Sequence, residues 1–297
     1  MRSTSPVSRP AWVGAMNVLT GTRGANGANN ASRKSPVEIF ADAASVFTRS
    51  PYAEVTGIKH GKLGRWTDGV AELRADRSEF AAYWNAHNDD VLTKRERAAR
   101  DGATEDDPLW VVLGDSTAQG LGAPGPRGGY VGQTLYQLRR STGKHWRVLN
   151  LSVSGALIRD VIADQIPQLE GRHADLVTCG AGANDILYSA PGKLFGDLRT
   201  LLAEVPEETV VLDLPLLSGF WWVVGRMSVP YISRINRVIH EVATERKLRV
   251  AEVSRHFIPP WPGKFSVDNF HPSQDGYRDW SRALTEALTA GPAAAAA

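Results

Sequence analysis

Short apolar runs alternate along most of the chain with longer stretches in which apolar residues recur every three or four positions. From Leu109 onward the short runs read LWVVL, RVLNL, LVTC, TVVLDL and LRVAEV, and they predict five buried strands. A helical spacing follows each run; after the fourth it is carried by Ile232, Ile235 and Ile239. Five strands that alternate with five helices indicate right-handed crossovers and a parallel sheet covered on both faces.

Pro167 interrupts this pattern at one place, within the helical stretch that follows RVLNL. Proline lacks the N–H donor, and its ring clashes with the preceding turn of a helix. We therefore expect this helix to be kinked or short.

The beginning of the chain has a different composition. Residues 1–34 are rich in Gly, Asn, Ser and Ala, and they carry five basic residues before the first acid, Glu38. This composition predicts a disordered basic tail. A targeting peptide is the alternative, but the apolar stretch AWVGAMNVL is short and no convincing cleavage site follows it.

Residues 35–107 predict a helical extension that ends in a linker. Ser35, followed by a proline, has the form of a helix start. A second helix is expected from Ser78, with an apolar face formed by Phe80, Trp84, His87 and Val91. The domain of alternating strands and helices is predicted for residues 108–290, and a short tail for residues 291–297.

The charge balance narrows the classes of function. Lys and Arg number 34 against 32 Asp and Glu, and this net charge of +2 does not indicate a nucleic-acid-binding protein. No apolar run reaches the roughly 18 residues that a membrane-spanning helix needs. The single cysteine, Cys179, excludes an intrachain disulfide and lies in the apolar run LVTC. We therefore expect a buried cysteine and a cytoplasmic protein.

Residues that can carry chemistry follow four of the predicted strands. Ser116 follows the first strand, Gly155 the second and Asn184 the third, while Asp268 and His271 lie on a longer loop after the fifth. In an open parallel sheet, ligands bind beyond the carboxyl ends of the strands. With the strand order 2-1-3-4-5, Gly155 and Asn184 flank Ser116, and the long loop after the fifth strand can return to it.

These residue types complement one another chemically. A serine hydroxyl becomes a nucleophile when an imidazole accepts its proton and a third group orients the imidazole. Asp268 and His271 are three residues apart, so one turn can bring the carboxylate to one ring nitrogen and leave the other for Ser116. The oxyanion needs preorganised donors, which the backbone N–H groups of Ser116 and Gly155 and the side-chain amide of Asn184 can supply.

The sequence lacks common motifs of nucleotide binding and of metal binding. The stretch after the first strand does not end in the G-K-[ST] of a phosphate-binding loop, and neither Gly114 nor Gly180 starts a G-x-G-x-x-G series. The seven histidines include no H-E-x-x-H spacing. We therefore expect neither a nucleotide cofactor nor a metal ion.

Four sequence blocks together resemble a known family. GDS at residues 114–116, NLSVSG at 150–155, GAND at 182–185 and DNFHP at 268–272 occur in the order found in the SGNH (GDSL) hydrolases. The resemblance covers roughly residues 109–290, and the NLSVSG block is most similar to the thioesterase and lysophospholipase-type branch.

The resemblance implies a flavodoxin-like three-layer α/β/α sandwich with a five-stranded parallel sheet, to which this chain adds the helical N-terminal extension. It implies no metal, no cofactor, and ester or thioester substrates. Ser116 would be the nucleophile, His271 the base and Asp268 the group that orients it. Gly155 and Asn184 would complete the oxyanion hole. One departure is the threonine at position 117, where the family commonly has a larger apolar residue, and it changes the expected shape of the pocket.

The sequence therefore predicts a serine hydrolase that cleaves small-molecule acyl esters or thioesters through an acyl-enzyme on Ser116. Two alternatives stay open at this point. The same site can pass the acyl group to a sugar or lipid hydroxyl, which would make the protein an acyltransferase. A non-catalytic binding module on the same fold is the other, but such a module is expected to lack a catalytic residue.

An aromatic run follows the fourth strand in place of a catalytic block. Residues 216–231, LLSGFWWVVGRMSVPY, are expected to form a loop at the ligand-binding edge. Consecutive apolar residues in a loop cannot all point inward, so some should form an acyl-chain wall. The candidates are Phe220, Trp221, Trp222, Val223 and Met227. Packing beneath the helical extension is the alternative, and the extension also offers a surface for a homodimer.

Overall fold

The structure is a computed structural model, and it describes residue 42 and residues 62–102, 107–215 and 222–290. For residues 62–66, 187 and 222–228 it describes the backbone alone. The predicted basic tail, the C-terminal tail and the helix expected from Ser35 lie outside the described residues, apart from residue 42.

Five parallel strands form the central sheet, as predicted. They are β1 Leu109–Gly114, β2 Arg147–Asn150, β3 Leu176–Gly180, β4 Val210–Leu212 and β5 Arg249–Ala251. Their order is β2-β1-β3-β4-β5, and every neighbouring pair is parallel. Because β1 lies between β2 and β3, the loops that follow these three strands begin side by side at one edge of the sheet.

Helices cover both faces of the sheet. They are α1 Lys62–Arg100, α2 Ser116–Gln119, α3 Tyr130–Thr142, α4 Ile158–Asp160, α5 Ala183–Tyr188, α6 Pro191–Glu204, α7 Trp222–Arg246, α8 Val253–His256 and α9 Gln274–Thr289. The stretch around Pro167 is broken as predicted, because a π turn at Val161–Gln165 and a 3-10 turn at Ile166–Leu169 follow α4. None of the described helices combines the length and the apolar character needed to cross a membrane.

Alternate residues of β1 divide the core into two layers. Val111 and Leu113 belong to a buried cluster with leucines of α6 and isoleucines of α7. Trp110 and Val112 belong to a second cluster, with aromatic residues of α3 and α9. A strand that is buried on both faces is what a continuous apolar run predicts. The three-layer α/β/α sandwich is therefore confirmed.

The extension contains one 39-residue helix, α1, which begins at Lys62 and not at Ser78 as the sequence predicted. Serine often caps a helix, but Ser78 lies inside α1 and is exposed. The apolar face continues upstream of it, because Val70 and Leu73 are buried at helical spacing from Phe80. The apolar face of α1 therefore extends upstream of the serine.

Part of the aromatic run after β4 is helical, which corrects the prediction of a loop over residues 216–231. Residues 216–221 lie outside the described residues, and α7 begins at Trp222. Val224, Met227 and Tyr231 follow one another at helical spacing and lead into the rest of α7. The density of apolar residues hid this period in the sequence.

Candidate active site

Ser116, His271 and Asp268 form a continuous hydrogen-bonded chain at the carboxyl edge of the sheet. Ser116 Oγ lies 2.9 Å from His271 Nε2, and His271 Nδ1 lies 2.6 Å from Asp268 Oδ2. Ser116 is the first residue of α2, directly after β1, whereas the other two come from the loop between α8 and α9. All three side chains are buried. The long loop after β5 thus returns to the end of β1.

Several hydrogen bonds hold the carboxylate of Asp268. Its Oδ1 accepts from the hydroxyl of Ser266 and from the backbone N–H groups of Phe270 and His271. Burial favours the neutral carboxyl, but the charge of His271 and these hydrogen bonds outweigh it, and the pKa of Asp268 is lowered. The ionised carboxylate therefore fixes the imidazole with its Nε2 turned toward Ser116.

The residues on either side of Ser116 fix its position. Asp115 caps α2, and its Oδ1 accepts hydrogen bonds from the backbone N–H and the hydroxyl of Thr117, at 2.9 and 2.8 Å. Burial raises the pKa of Asp115, and the two hydrogen bonds from Thr117 act in the opposite direction. The hydroxyl of Thr117 thus holds Asp115, which explains how a polar side chain is accommodated where a larger apolar residue was expected.

Gly155, in the loop after β2, and Asn184, in α5 after β3, lie on either side of Ser116. Gly155 has a φ of 81°, a backbone conformation that residues with a Cβ rarely adopt. The Nδ2 of Asn184 donates to the carbonyl oxygen of Ala156 at 3.0 Å. An amide nitrogen carries two hydrogens, so this bond uses one and sets the direction of the other. Both residues line the same cleft as Ser116 and His271.

Asp185 ties α5 to the segment that follows Gly155. Its Oδ2 accepts from the backbone N–H of Ile158, and its Oδ1 accepts from the hydroxyl of Ser189, both at 2.9 Å. The side chain is fully buried, and burial raises the pKa of Asp185 to about 6. Consecutive residues of α5, Asn184 and Asp185, therefore hold the loop that contains Gly155.

A set of buried polar side chains that the sequence reasoning missed supports α2. Asn150 Nδ2 donates to Ala118 O, and Ser152 donates to Asn150 Oδ1 through its N–H and its hydroxyl. Gln119 donates to Ser152 O and accepts from the hydroxyl of Ser154. The available signal was the alternation of Asn150, Ser152 and Ser154 within the NLSVSG block, because polar residues at every second position share one side of an extended chain.

The cleft above Ser116 is narrow, with a cavity volume of about 20 Å³. Its wall brings together four of the predicted residues: Ser116, Gly155, Asn184 and His271. Asp268 lies behind His271 and does not line the cleft.

Four further residues on the wall were not predicted: Arg77, Leu157, Tyr188 and Phe270. Tyr188 lies three residues after the GAND block, and Phe270 lies beside His271. Their closeness in sequence to predicted residues was the available signal. Arg77 lies one residue before the start predicted for its helix, which hid it.

The structure describes no side chain of the predicted acyl-chain wall. Phe220 and Trp221 lie outside the described residues, and α7 is described at Trp222, Val223 and Met227 by its backbone alone.

A parallel sheet with these side chains at its carboxyl edge fits the class of carboxylic ester hydrolases. The model of the GDSL-like lipase/acylhydrolase family matches residues 112–278, more than half of the chain. The chain belongs to this family and acts on acyl esters.

Solved structures show the same fold. TesA is 24% identical, with a TM-score of 0.51, and the match covers 61% of this chain and 98% of TesA. LAE5, an α/β hydrolase enzyme from the metagenome of Lake Arreo in Spain, is 20% identical, with a TM-score of 0.50. That match covers 61% of this chain and 94% of LAE5. A comparison with curated proteins found no match.

Proposed function

We propose that the protein hydrolyses carboxylic esters, and by the same chemistry thioesters, through an acyl-enzyme on Ser116. The observation that carries this proposal is the chain from Ser116 Oγ through the His271 ring to Asp268, with distances of 2.9 and 2.6 Å. A serine hydroxyl is a weak nucleophile unless such a base accepts its proton.

In the acylation step, His271 Nε2 takes the proton of Ser116 Oγ while this oxygen forms a bond to the carbonyl carbon of the substrate. The carbonyl electrons move to the oxygen, which accepts hydrogen bonds from the backbone N–H groups of Ser116 and Gly155 and from the amide of Asn184. The imidazolium, stabilised by Asp268, then gives its proton to the leaving alcohol or thiol as the ester bond breaks.

Water completes the cycle. His271 Nε2 takes a proton from a water molecule, whose oxygen forms a bond to the acyl carbon, and Ser116 leaves with that proton. An alcohol in place of water would give acyl transfer with the same residues. The two outcomes differ in their products, since hydrolysis releases the free acid and transfer yields a new ester in the presence of an added sugar or lipid alcohol.

The replacement of Ser116 tests the proposal. Ser116→Ala is expected to lower kcat for 4-nitrophenyl esters by about 10⁴-fold or more, while the thermal unfolding midpoint changes little. A fluorophosphonate probe is expected to label the wild type at Ser116. Ser141→Ala, in the exposed part of α3, is the matched control and should keep full activity. An active Ser116→Ala variant, or labelling at another serine, would contradict the assignment.

The predicted homodimer through the N-terminal extension has its own test. The mass of the purified protein in light scattering distinguishes one chain from two. A single-chain mass at every accessible concentration would contradict the dimer and leave the hydrolase unaffected.

A further inference from the structure

Arg77 brings a positive charge from the N-terminal extension to the wall of the cleft that contains Ser116. It belongs to α1, which lies outside the residues that the family model matches. The proposed reaction does not use it, since the nucleophile, the base and the oxyanion donors all lie in residues 116–271.

Arg77 lies on the face of α1 that packs against the catalytic domain. The residues of this face are three or four positions apart, and they are Gly69, Leu73, Arg77, Phe80 and Trp84. Four of them are buried, whereas Arg77 is half-buried where the face meets the cleft. It is also the one charged residue among these five.

The neighbours of Arg77 on this face are held on both sides. A Cβ added to Gly69 would lie 2.8 Å from atoms of Val267, beside Asp268, so α1 touches the loop that carries the proposed base. Leu73 and Phe80 form a buried cluster with Leu121, two residues after α2. These contacts hold the part of α1 that carries Arg77 against the catalytic domain.

The described wall of the cleft combines a cationic side chain with apolar surface. Among the described residues that line it, Arg77 carries the one permanent charge. The carboxylates of Asp115, Asp185 and Asp268 are buried beneath the wall, and each accepts hydrogen bonds from its own neighbours. The rest of the wall includes the apolar and aromatic side chains of Leu157, Tyr188 and Phe270. A bound substrate thus meets a guanidinium next to an apolar surface.

We propose that Arg77 binds an anionic group of the substrate, so that the preferred substrates are esters with a carboxylate or phosphate close to the scissile bond. This inference rests on the proposed ester hydrolysis at Ser116. A guanidinium presents its N–H donors in a planar fork that matches the oxygens of a carboxylate or phosphate. Such hydrogen bonds are stronger in a partly buried cleft than in bulk water.

Matched pairs of esters test the proposal with the full-length protein. An anion in the acyl half is tested by mono-4-nitrophenyl glutarate against 4-nitrophenyl pentanoate. An anion in the alcohol half is tested by 4-acetoxybenzoate and 4-acetoxyphenyl phosphate against methyl 4-acetoxybenzoate. Each anionic ester is compared with its neutral partner in the wild type, in Arg77→Gln, in Arg77→Lys and in Arg97→Gln. Arg97 is an exposed arginine of the same helix and serves as the matched control.

The readout is the ratio of kcat/KM for the anionic ester to kcat/KM for its neutral partner. In at least one pair, Arg77→Gln is expected to lower this ratio by about 10- to 100-fold, mainly through KM, since a hydrogen bond to a charged group is lost. Arg77→Lys should fall between the wild type and Arg77→Gln, and Arg97→Gln should leave the ratio unchanged. The pair that responds shows which half of the ester carries the anion. In the alcohol half, the comparison of 4-acetoxybenzoate with 4-acetoxyphenyl phosphate shows whether a carboxylate or a phosphate is preferred.

A binding measurement separates this proposal from the one on which it rests. In the Ser116→Ala background, the anionic ester of the responding pair is expected to raise the thermal unfolding midpoint more than its neutral partner does. Adding Arg77→Gln should remove that difference. If Ser116 is not the nucleophile, Ser116→Ala stays active, and the ratios of kcat/KM in the wild type and Arg77→Gln still report on Arg77. Equal ratios in wild type and Arg77→Gln for all pairs, or equal midpoint shifts, would overturn the role of Arg77.

Discussion

Asp268 and Asp185 are both buried near the cleft, yet the pKa values of these two carboxyls shift in opposite directions. Asp268 faces an imidazole and three hydrogen-bond donors, which outweigh its burial and lower its pKa. Asp185 accepts two hydrogen bonds, and burial raises its pKa to about 6. The first carboxyl is thus kept charged beside His271, while the second ties α5 to the segment after Gly155 and is stabilised by protonation.

The raised pKa of Asp185 predicts a pH dependence of stability. The native state binds this proton more tightly than the unfolded chain, so the free energy of unfolding falls as the pH rises from 3.8 to about 6. The loss is about 2–3 kcal/mol and is complete above that window. Asp185→Asn removes the titration and can keep both hydrogen bonds. Relative to the wild type, the variant is therefore expected to gain about this amount between pH 4 and pH 7.5 in urea unfolding.

Asp275→Asn, at an exposed position in the first turn of α9, is the control for this measurement and should show no comparable change. A constant difference in stability between Asp185→Asn and the wild type at all pH values would contradict the raised pKa. The opposite slope would mean that the carboxylate, and not the carboxylic acid, is the form that the fold stabilises.

The residues of the candidate site differ in how far the sequence revealed them. Ser116 and Asn184 directly follow strands, so short turns fix their place once the strand order is known, and the structure brings them to one cleft. Their catalytic roles stay predictions. Arg77 and Gln119 reach the site from helices, where a polar residue at one position does not show which way it faces. Only the packing of α1 and α2 decides that.

At the scale of elements, β1, β3 and β4 were predictable because both faces of each are buried, which leaves a continuous apolar run. The first residues of the helices were less predictable. Ser78 has the residue type of a cap but lies in the middle of α1, and the aromatic run before α7 has too many apolar residues to show its period. At Ser78 the local signal was overruled by the apolar face of α1, which continues upstream of it.

The loop that carries His271 depends on a glycine in the segment after α2. A Cβ at Gly122 would lie 2.6 Å from Pro272 O and 2.8 Å from His271 Cβ, and the φ of Gly122 is 98°. Only a residue without a side chain allows so close an approach in this conformation. The segment after the nucleophile and the histidine loop are therefore fitted to each other.

The aromatic segment before and within α7 carries a prediction about chain length. We propose that Trp221 and Trp222 form part of an acyl-chain wall. Trp221→Ala and Trp222→Ala are then expected to lower kcat/KM for 4-nitrophenyl octanoate about tenfold while 4-nitrophenyl acetate changes little, because only the longer chain loses apolar contact. A parallel loss for both esters, together with a lower thermal unfolding midpoint, would instead show that the segment serves packing.

At the scale of the whole molecule, α1 contributes to every part of the core. Val91 belongs to the cluster on one face of the sheet, Trp84 to the cluster on the other, and Leu73 and Phe80 pack on Leu121. The amide of Asn88 also pairs with the backbone N–H and carbonyl of Asn150 on the edge strand β2, at 2.9 and 2.7 Å. An edge strand that is covered in this way is protected from pairing with another chain.

These contacts predict that the extension and the sheet domain unfold together. The side chain of Trp84 is 3% exposed, and its Nε1 donates to Gln119 O at 2.9 Å, directly beneath the nucleophile's helix. Trp84→Ala is expected to lower the free energy of unfolding by about 3–5 kcal/mol in one cooperative urea transition, since a large buried side chain is lost. Trp84→Phe, which keeps a ring but not the hydrogen bond, should lose less, and Glu79→Ala on the exposed face of α1 almost nothing.

If α1 were only attached to a domain that is stable without it, Trp84→Ala would instead produce an early partial loss of helix, followed by an unchanged main transition. Kinetics with a neutral ester separate the two cases further, because activity should disappear with the single transition in the first case and outlast the helix in the second.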